Sequence, residues 1–415
     1  MSFAARTENA RGPLHYPQFR RALLSRAAST AGDWMQIVAA GWLTYQLTDS
    51  AVAVGALTAL SRGPAIALSS YGGVLADRFD RRRLGIACCA AQALAAAALA
   101  ILTWDGEVDL AALYSLTLAI GLANALSNSA IQIAATTTVP PELSKRAIAL
   151  TSVTSSTARA LGPALGGGLV AVLGPGPCFT ANALSFVVVV VALATIAPSH
   201  EKPAPGSPQG LRETISAARA HQVLAVALVA AGLFATLVAP LQELAPAIAR
   251  RNGDGAHVLG FLLAALAVGG ILGNLVLSRL SERGVARSQL VSGGMLACTA
   301  ALLSLAADGG YALDIAAMLC AGACWQIIYV ETLSVVQLEA PRGSSGRMVG
   351  LFYTTFLGGL TVGAMAMGAV FDLAGVDIGL AISAAGLAVY ALWRMRGAAL
   401  DGDGAAQSKQ GSAEQ

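Results

Sequence analysis

The sequence of 415 residues has few charged side chains, because Asp, Glu, Lys and Arg together make up only 12% of it. A soluble protein of this length needs about a quarter of its residues charged to cover its surface. Hydrophobic residues make up 56%, and the mean hydropathy is +0.65. These values exclude a water-soluble globular protein and indicate an all-α polytopic membrane protein.

Other scarcities exclude further classes of protein. Six cysteines in so long a chain exclude a secreted disulfide scaffold, and a net charge of +3 without a separate basic region argues against nucleic-acid binding. The sequence contains neither His-Glu-x-x-His nor a Gly-x-x-x-x-Gly-Lys-Ser/Thr phosphate loop. Cys320 and Cys324 share a helix face, but no His or carboxylate completes a metal site there. We therefore expect no metal and no cofactor.

Long apolar runs fill most of the chain. A helix needs roughly 20 mostly apolar residues to cross the hydrocarbon of a bilayer, and twelve runs qualify when one or two charges are tolerated. The predicted spans are Ala22–Thr48, Ala51–Ala76, Leu84–Trp104, Leu110–Val139, Ala147–Leu173, Phe179–Ala197, Gln222–Ala249, Val258–Ser278, Ser288–Ala307, Tyr311–Gln337, Met348–Phe371 and Ile378–Trp393.

The basic residues predict the orientation of these spans. Most of the 26 Lys and Arg residues lie in the connections that face the cytoplasm if both termini are cytoplasmic, whereas Arg250 and Arg251 fall outside. The predicted organisation is an N-terminal cytoplasmic segment (1–21), a six-helix bundle (22–197), a proline-containing cytoplasmic linker (198–221), a second six-helix bundle (222–396) and a disordered cytoplasmic tail (397–415).

The two halves repeat one connection. The segment after span two, Gly72–Arg83, and the segment after span eight, Gly273–Arg283, each place a glycine five residues before a small polar residue, which an arginine follows. The second copy carries Ser278 where the first has Asp77. This similarity at the same span of each half indicates a parallel duplication and two pseudo-symmetric bundles.

The first copy resembles the signature loop between helices two and three of the major facilitator superfamily. The matching residues are Gly73, Asp77, Arg78, Arg81 and Arg82. The resemblance implies that the glycine lets helix two approach its neighbour. It also implies that Asp77 and the arginines form a charge relay at a cytoplasmic gate.

Span five carries a second resemblance. The run from Arg159 to Gly168 is similar to the glycine–proline motif in helix five of the exporters of this superfamily, with Gly162, Pro163, Gly166 and Gly167 as its residues. Gly162 and Pro163 are expected to kink the helix, and the later glycines to let helix eight pack closely. The alternative is an ordinary glycine-rich membrane helix.

Short matches along nearly the whole chain resemble, more narrowly, the enterobactin-exporter branch of the superfamily. They include Gly32–Gln36, Leu47–Ser50, Leu75–Arg82 and Gly162-Pro163. The resemblance implies an efflux carrier of the bacterial inner membrane, and it leaves the cargo open. We expect the carrier to be a monomer.

Three ionisable residues fall near the middle of predicted spans, where a charge is costly without a partner or water. They are Asp33, Arg62 and Arg159 in spans one, two and five. One interpretation is structural: Asp33 pairs with Arg62 or Arg159. The other is functional: Asp33 binds a proton, and an arginine releases the proton or engages an anionic group of the cargo.

Two glutamates in the second half are further candidates for proton coupling or gating. Glu331 follows Trp325, Gln326 and Tyr329, an aromatic and polar mixture that suits a cargo cavity. Glu243 lies near two prolines, which favours a simple helix-end position.

Span four has a polar stripe of Asn124, Asn128 and Gln132 at a spacing of four residues, which puts the three amides on one helix face. Amides facing lipid are costly, so this face is expected to look inward. Bonding between helices explains the stripe as well as contact with the cargo does.

Taken together, these features predict a secondary transporter that exports a small organic molecule (a siderophore, a metabolite or a drug) by alternating access and uses a proton gradient. The alternatives are an importer or receptor of the same fold and, less favoured, a membrane-embedded enzyme, for which the sequence offers no clustered nucleophiles or metal ligands.

Overall fold

The computed structural model describes residues 12–68, 81–136, 138–195, 211–251, 256–341 and 344–396. Within these ranges the chain is helical and contains no strand. The α-helices, numbered in chain order, are α1 (Pro17–Thr48), α2 (Ala51–Leu68), α3 (Arg81–Asp105), α4 (Leu110–Thr136), α5 (Ser144–Leu173), α6 (Gly176–Thr195), α7 (Leu211–Ala220), α8 (Gln222–Leu237), α9 (Pro240–Glu243), α10 (Ala245–Arg251), α11 (Ala256–Glu282), α12 (Arg287–Ala306), α13 (Tyr311–Leu338), α14 (Ser345–Ala374) and α15 (Val376–Arg396).

Eleven helical stretches of the described residues are long and apolar enough to cross a membrane, judged by length and composition. They coincide with predicted spans two to twelve, and the all-α polytopic fold is confirmed. The first predicted span lies within α1, which at 32 residues is more than long enough. Its mean hydropathy is lower because α1 also contains Arg20, Arg21, Arg26 and Asp33.

The seventh predicted span is interrupted. The chain from Gln222 to Arg251 forms three successive helices, α8, α9 and α10, instead of one. Pro240 opens α9, and Pro246 lies in the first turn of α10. Proline has no backbone N–H and its ring clashes with the preceding turn, so it is favoured at the start of a helix and disfavoured inside one.

Two predicted segments fall largely outside the described residues. Of the linker predicted at 198–221, residues 211–220 form the short helix α7, and residues 198–210 are outside the description. The N-terminal residues 1–11 and the tail from 397 are outside it as well.

The chain divides into two compact units. The first comprises Met1–Asp49, Leu57–Gly206 and Gly255–Gly260, and the second comprises Ser50–Ala56, Ser207–Asp254 and Phe261–Gln415. In the first unit, α1 packs along α5 and α6, and α3 packs along α4 and α6. In the second unit, α12 packs along α13 and α15, and α8 packs along α14.

Candidate functional site

Asp33 lies at the centre of α1, where its half-buried side chain meets α6. Asn182 of α6 is fully buried, and its Nδ2 donates to Gln36 Oε1 at 2.8 Å and to Asp33 Oδ1 at 3.4 Å. The hydroxyl of Ser185 lies 2.8 Å from the backbone carbonyl oxygen of Asn182 and 3.0 Å from its Oδ1. The carboxylate of Asp33 only accepts hydrogen bonds, so the Asn182 side chain turns an N–H toward it. Asp33 is thereby held as a hydrogen-bond acceptor.

A glycine makes this approach of two helices possible. A Cβ atom at position 32 would lie 2.5 Å from Asn182 Oδ1 and 2.8 Å from Ser185 Oγ, closer than real atoms pack. Gly32 is therefore the residue that lets α1 come near enough to α6 for Asn182 to reach Asp33.

Two arginines act on Asp33 through their charge, Arg26 of α1 and Arg62 of α2. The Arg62 guanidinium carbon lies 5.1 Å from the ring centroid of Trp34, a cation–π contact. Arg26 lies about two turns before Asp33 on the same face of α1, and its Nε donates to Ser155 Oγ at 3.3 Å. Within the described residues, however, no arginine is close enough to Asp33 to form an ion pair.

The glycine–proline motif of α5 lies against α1. A Cβ atom at Gly162 would be 2.6 Å from the Cβ of Trp34, and one at Gly166 would be 2.9 Å from the Cα of Met35. Gly167 meets Gly260 of α11, the helix of the eighth predicted span, and a Cβ atom at Gly167 would lie only 2.6 Å from the Gly260 Cα. Helix α5 runs through Pro163 without a break. The small residues of the motif thus set how closely α5 packs on its neighbours.

Arg159 of α5 is exposed and lies one turn after Ser155. It is close enough to Arg26 for the two like charges to oppose each other. Arg26, which the sequence analysis did not name as a candidate, therefore interacts by charge with both Arg159 and Asp33.

The polar stripe of α4 is described only in part. Asn124 is half-buried, and the side chains of Asn128 and Gln132 lie outside the described set although both residues are within α4. Next to this stripe, the buried Gln92 of α3 donates to Ser127 Oγ at 3.1 Å. Amide and hydroxyl groups in this part of the first unit therefore bond between helices.

The signature loop is also described only in part. Gly73, Asp77 and Arg78 lie outside the described residues, as does the side chain of Arg81, which begins α3. Arg82 donates from Nε to the carbonyl of Leu193 at 2.8 Å, and its guanidinium also reaches the carbonyl of Ala194. Arg82 thus binds the last carbonyls of α6, where a cation is stabilised by the helix dipole.

In the second copy of the loop, both the glycine and the small polar residue are among the described residues. Helix α11 continues to Glu282, so Gly273 and Ser278 are both helical. A Cβ atom at Gly273 would lie 2.5 Å from the carbonyl oxygen of Ala323 in α13. In this copy, glycine permits a close approach between helices.

The second unit holds the two candidate glutamates. Glu331 of α13 is buried, with Oε2 3.8 Å from Arg287 Nε at the start of α12. Glu243 is buried at the end of the short helix α9. The two glutamates therefore have different settings, one beside an arginine and one at a proline-interrupted segment.

The predicted aromatic and polar group of α13 joins a larger aromatic cluster within the second unit. Tyr329 packs edge-on against Phe352 and Phe356 of α14, with ring centroids 5.7 and 5.3 Å apart. Trp325 meets Phe234 of α8 at 5.8 Å. Gln326 is half-buried beside them on α13. These contacts are packing interactions of the kind aromatic rings favour.

Arg251 forms a charge cluster that sequence analysis did not predict. Its guanidinium lies 3.2 Å from Asp308 and 3.0 Å from Asp314, also contacts Asp377, and donates to the carbonyl of Leu305 at 2.7 Å. Asp314 is fully buried. This one cation therefore binds carboxylates at the ends of three helical segments.

Asn182 and Gln36 were also missed. Gln36 follows Asp33 by three residues and so lies on the same face of α1, which was a usable signal. Asn182 is the one amide side chain in the apolar run Gly176–Thr195, but it has no periodic companion that marks which way its face points.

The sequence matches proteins of known family along nearly its whole length. A family model described as a transmembrane secretion effector matches residues 9–412. The enterobactin exporter EntS of Shigella flexneri is 26% identical over 356 residues, which cover 85% of each chain. EntS of Salmonella typhimurium is 25% identical over 387 residues, which cover 91% of each chain.

Solved structures share the fold. The nucleoside transporter NupG superposes with a TM-score of 0.72 at 14% identity and covers 92% of this chain and 98% of its own. A bacterial homologue of the human lysosomal transporter Spinster gives a TM-score of 0.70 at 15% identity and covers 91% of this chain and 96% of its own.

Proposed function

Since the chain belongs to the transmembrane secretion effector family of the major facilitator superfamily, we propose that it is a secondary transporter that exports a small organic molecule in exchange for protons. Its family and its relatives are transporters rather than enzymes, and its apolar helices make it a multi-pass membrane protein. The proposal concerns what this carrier moves, in which direction, and which residues couple the movement to protons.

The setting of Asp33 is the observation that carries the proposal. A carboxylate at the centre of a membrane helix is costly unless it is paired or neutral. Asp33 has a hydrogen bond from Asn182 and two nearby positive charges, yet forms no ion pair with a described residue. Such a group is able to exchange a proton without first breaking a salt bridge, and that is the property a proton-coupling residue needs.

The relatives support export over import, because the enterobactin exporters align with 85 to 91% of the chain. We place the protein in the inner membrane of a bacterium as a monomer, with both termini in the cytoplasm, following the distribution of its basic residues.

The signature loop, Asp77 included, would act as the gate on the cytoplasmic side. Glu331 and Glu243 are secondary candidates for proton coupling.

The test begins by finding the cargo. Medium from a strain lacking the protein is compared with medium from the same strain complemented with the wild-type gene, and the compound lost on deletion is purified. Inverted membrane vesicles with an acidic lumen should then accumulate this compound, and collapsing the proton gradient should stop the accumulation. An importer of the same fold would instead release the compound from preloaded vesicles under the same gradient.

The residue-level prediction is that Asp33→Asn abolishes gradient-driven accumulation, because an amide cannot carry the proton. Exchange of labelled for unlabelled compound without a gradient should persist in this variant. Asp109→Asn is the matched control: Asp109 accepts a hydrogen bond from the N–H of Ala112 at the start of α4, and asparagine caps a helix as well as aspartate does. Full gradient-driven uptake by Asp33→Asn would show that the proton site lies elsewhere.

A further inference from the structure

Helices α1 and α5 lie side by side in the first unit with a fixed register. Arg26 meets Ser155 near the beginning of the two helices, and Trp34 meets Gly162 further along. Arg159 lies between these two contacts, one turn after Ser155 and one turn before Gly162. The register therefore brings two guanidinium groups and one hydroxyl to the same stretch of the α1–α5 seam.

The charges at this seam are not balanced by the described residues. The positive charges of Arg26 and Arg159 oppose each other, and of the described residues only Asp33 acts favourably on Arg26 through its charge. Neither arginine forms an ion pair with any residue in the described ranges. Two like charges held close together attract an anion more strongly than either charge alone.

The position of Arg159 along its helix adds to the evidence for an anion at this seam. Arg159 lies at the middle of the membrane-crossing stretch Arg146–Leu173, and its side chain is exposed. An arginine at that depth is costly against lipid tails. An exposed arginine there is stabilised by water or by a bound anion, and the guanidinium group is well suited to bind the two oxygens of a carboxylate.

We propose that Arg26, Ser155 and Arg159 form a subsite for an oxyanion group of the cargo, such as a carboxylate. This inference deepens the proposed function and rests on it. The two arginines donate to the oxyanion, and Ser155 orients Arg26 through their hydrogen bond. Arg62 is not part of the subsite, because its guanidinium lies over Trp34. The proton site at Asp33 and the anion subsite are thus neighbours on α1 with separate residues.

Binding is measured without knowing the natural cargo, using 4-nitrobenzoate as the probe and 4-nitrobenzamide as its uncharged analogue. Nitroaromatic groups quench tryptophan fluorescence at short range, and Trp34 packs against α5 close to the subsite. The difference in quenching between the wild type and Trp34→Phe isolates this signal from the other four of the five tryptophans. Saturable quenching of Trp34 by the benzoate and not by the benzamide is the expected result.

The variants assign the binding to particular residues. Arg26→Gln and Arg159→Gln should each raise the Kd for 4-nitrobenzoate about tenfold or more, because a hydrogen bond to a charged group is lost. Ser155→Ala should raise it by roughly fivefold. Arg21→Gln, the same substitution at an exposed position of α1, is the control and should leave the Kd unchanged. Elution as a single monodisperse species shows that each variant is folded.

Three outcomes would overturn the subsite: equal quenching by both probes, an unchanged Kd in Arg26→Gln and Arg159→Gln, or an equal loss in Arg21→Gln. Titrations in nanodiscs of phosphatidylcholine, with and without phosphatidylglycerol, separate cargo from lipid as the source of the oxyanion. Competition by phosphatidylglycerol would assign the arginines to a lipid headgroup. Because binding is measured without a proton gradient, intact benzoate binding with no gradient-driven transport would contradict only the proposed function.

Discussion

The two units hold their charges in opposite ways. In the second unit, Arg251 contacts three aspartates and a backbone carbonyl, and one of those aspartates, Asp314, is fully buried. In the first unit, Arg26 and Arg159 have no ion pair among the described residues, and Asp33 is bound by an amide. The charges of the second unit connect helices, whereas the proposed function assigns those of the first unit to a ligand or a proton.

This difference predicts that the two units respond differently to substitution. A buried ion pair is expensive to break from one side, because the remaining charge has lost both water and partner. Removing a neutral amide that binds a charged side chain costs less free energy of unfolding. The charged side chain is then no longer oriented. Substitutions in the second unit should therefore affect folding, and those around Asp33 should affect transport more than folding.

The largest stability effect is expected for Arg251→Gln. The substitution breaks the ion pair of Arg251 with the fully buried Asp314 from one side, which costs about 3–5 kcal/mol in the free energy of unfolding. The free energy is measured by titrating the purified protein with a denaturing detergent. Arg250→Gln, at the exposed neighbouring position, is the control and should cost far less. A loss below about 1 kcal/mol for Arg251→Gln would remove the contrast between the units.

An intermediate effect is expected for Asn182→Ala. It removes the donor to Gln36 and Asp33 from a fully buried position, and leaving such groups unpaired costs about 1–3 kcal/mol. Gradient-driven uptake should fall further than stability does, because Asp33 is no longer oriented. Ser185→Ala is the comparison variant, and its loss should be smaller, since Asn182 keeps both of its own donor contacts. Normal uptake in Asn182→Ala would show that the amide has only a structural role.

The smallest effect is expected for Asp377→Asn. Asp377 contacts Arg251, but its side chain is 53% exposed, and exposed ion pairs contribute about 1 kcal/mol or less. Asp308→Asn, at 52% exposure, is a matched variant with the same expected result in the detergent titration. A loss for either that approaches the loss for Arg251→Gln would mean that the cluster acts as one cooperative network.

The membrane fold could be predicted because it depends on hydropathy over about 20 residues, a property that the sequence displays directly. The interruption between α8 and α9 could be anticipated only in part. Pro240 and Pro246 are visible, but whether a proline bends a helix or ends it depends on the packing around the freed carbonyls. The charged residues of α1 lower its mean hydropathy, and the same residues include the candidates for function.

The sequence predicted how far along their helices the candidate residues lie, but not which neighbouring helices their side chains meet. Counting along spans placed Asp33 and Arg159 at the middle of their helices, and the structure groups them with Arg26. The role of Asn182 depends on the rotation of α6 about its axis, which the contact at Gly32 fixes. The Arg251 cluster joins Arg251 to Asp308 and Asp314, which are near each other in sequence, and to the distant Asp377, so local patterns contain no sign of it.

The hydrogen bonds from α6 to the polar residues of α1 have one direction: the Asn182 nitrogen donates to Gln36 and to Asp33. An amide does not release its hydrogens, so Asn182 stabilises negative charge on Asp33 but cannot transfer a proton to it. If Asp33 has the proposed coupling role, its proton would therefore come from a group other than Asn182. In the proposed mechanism, α6 would orient Asp33 without relaying its proton.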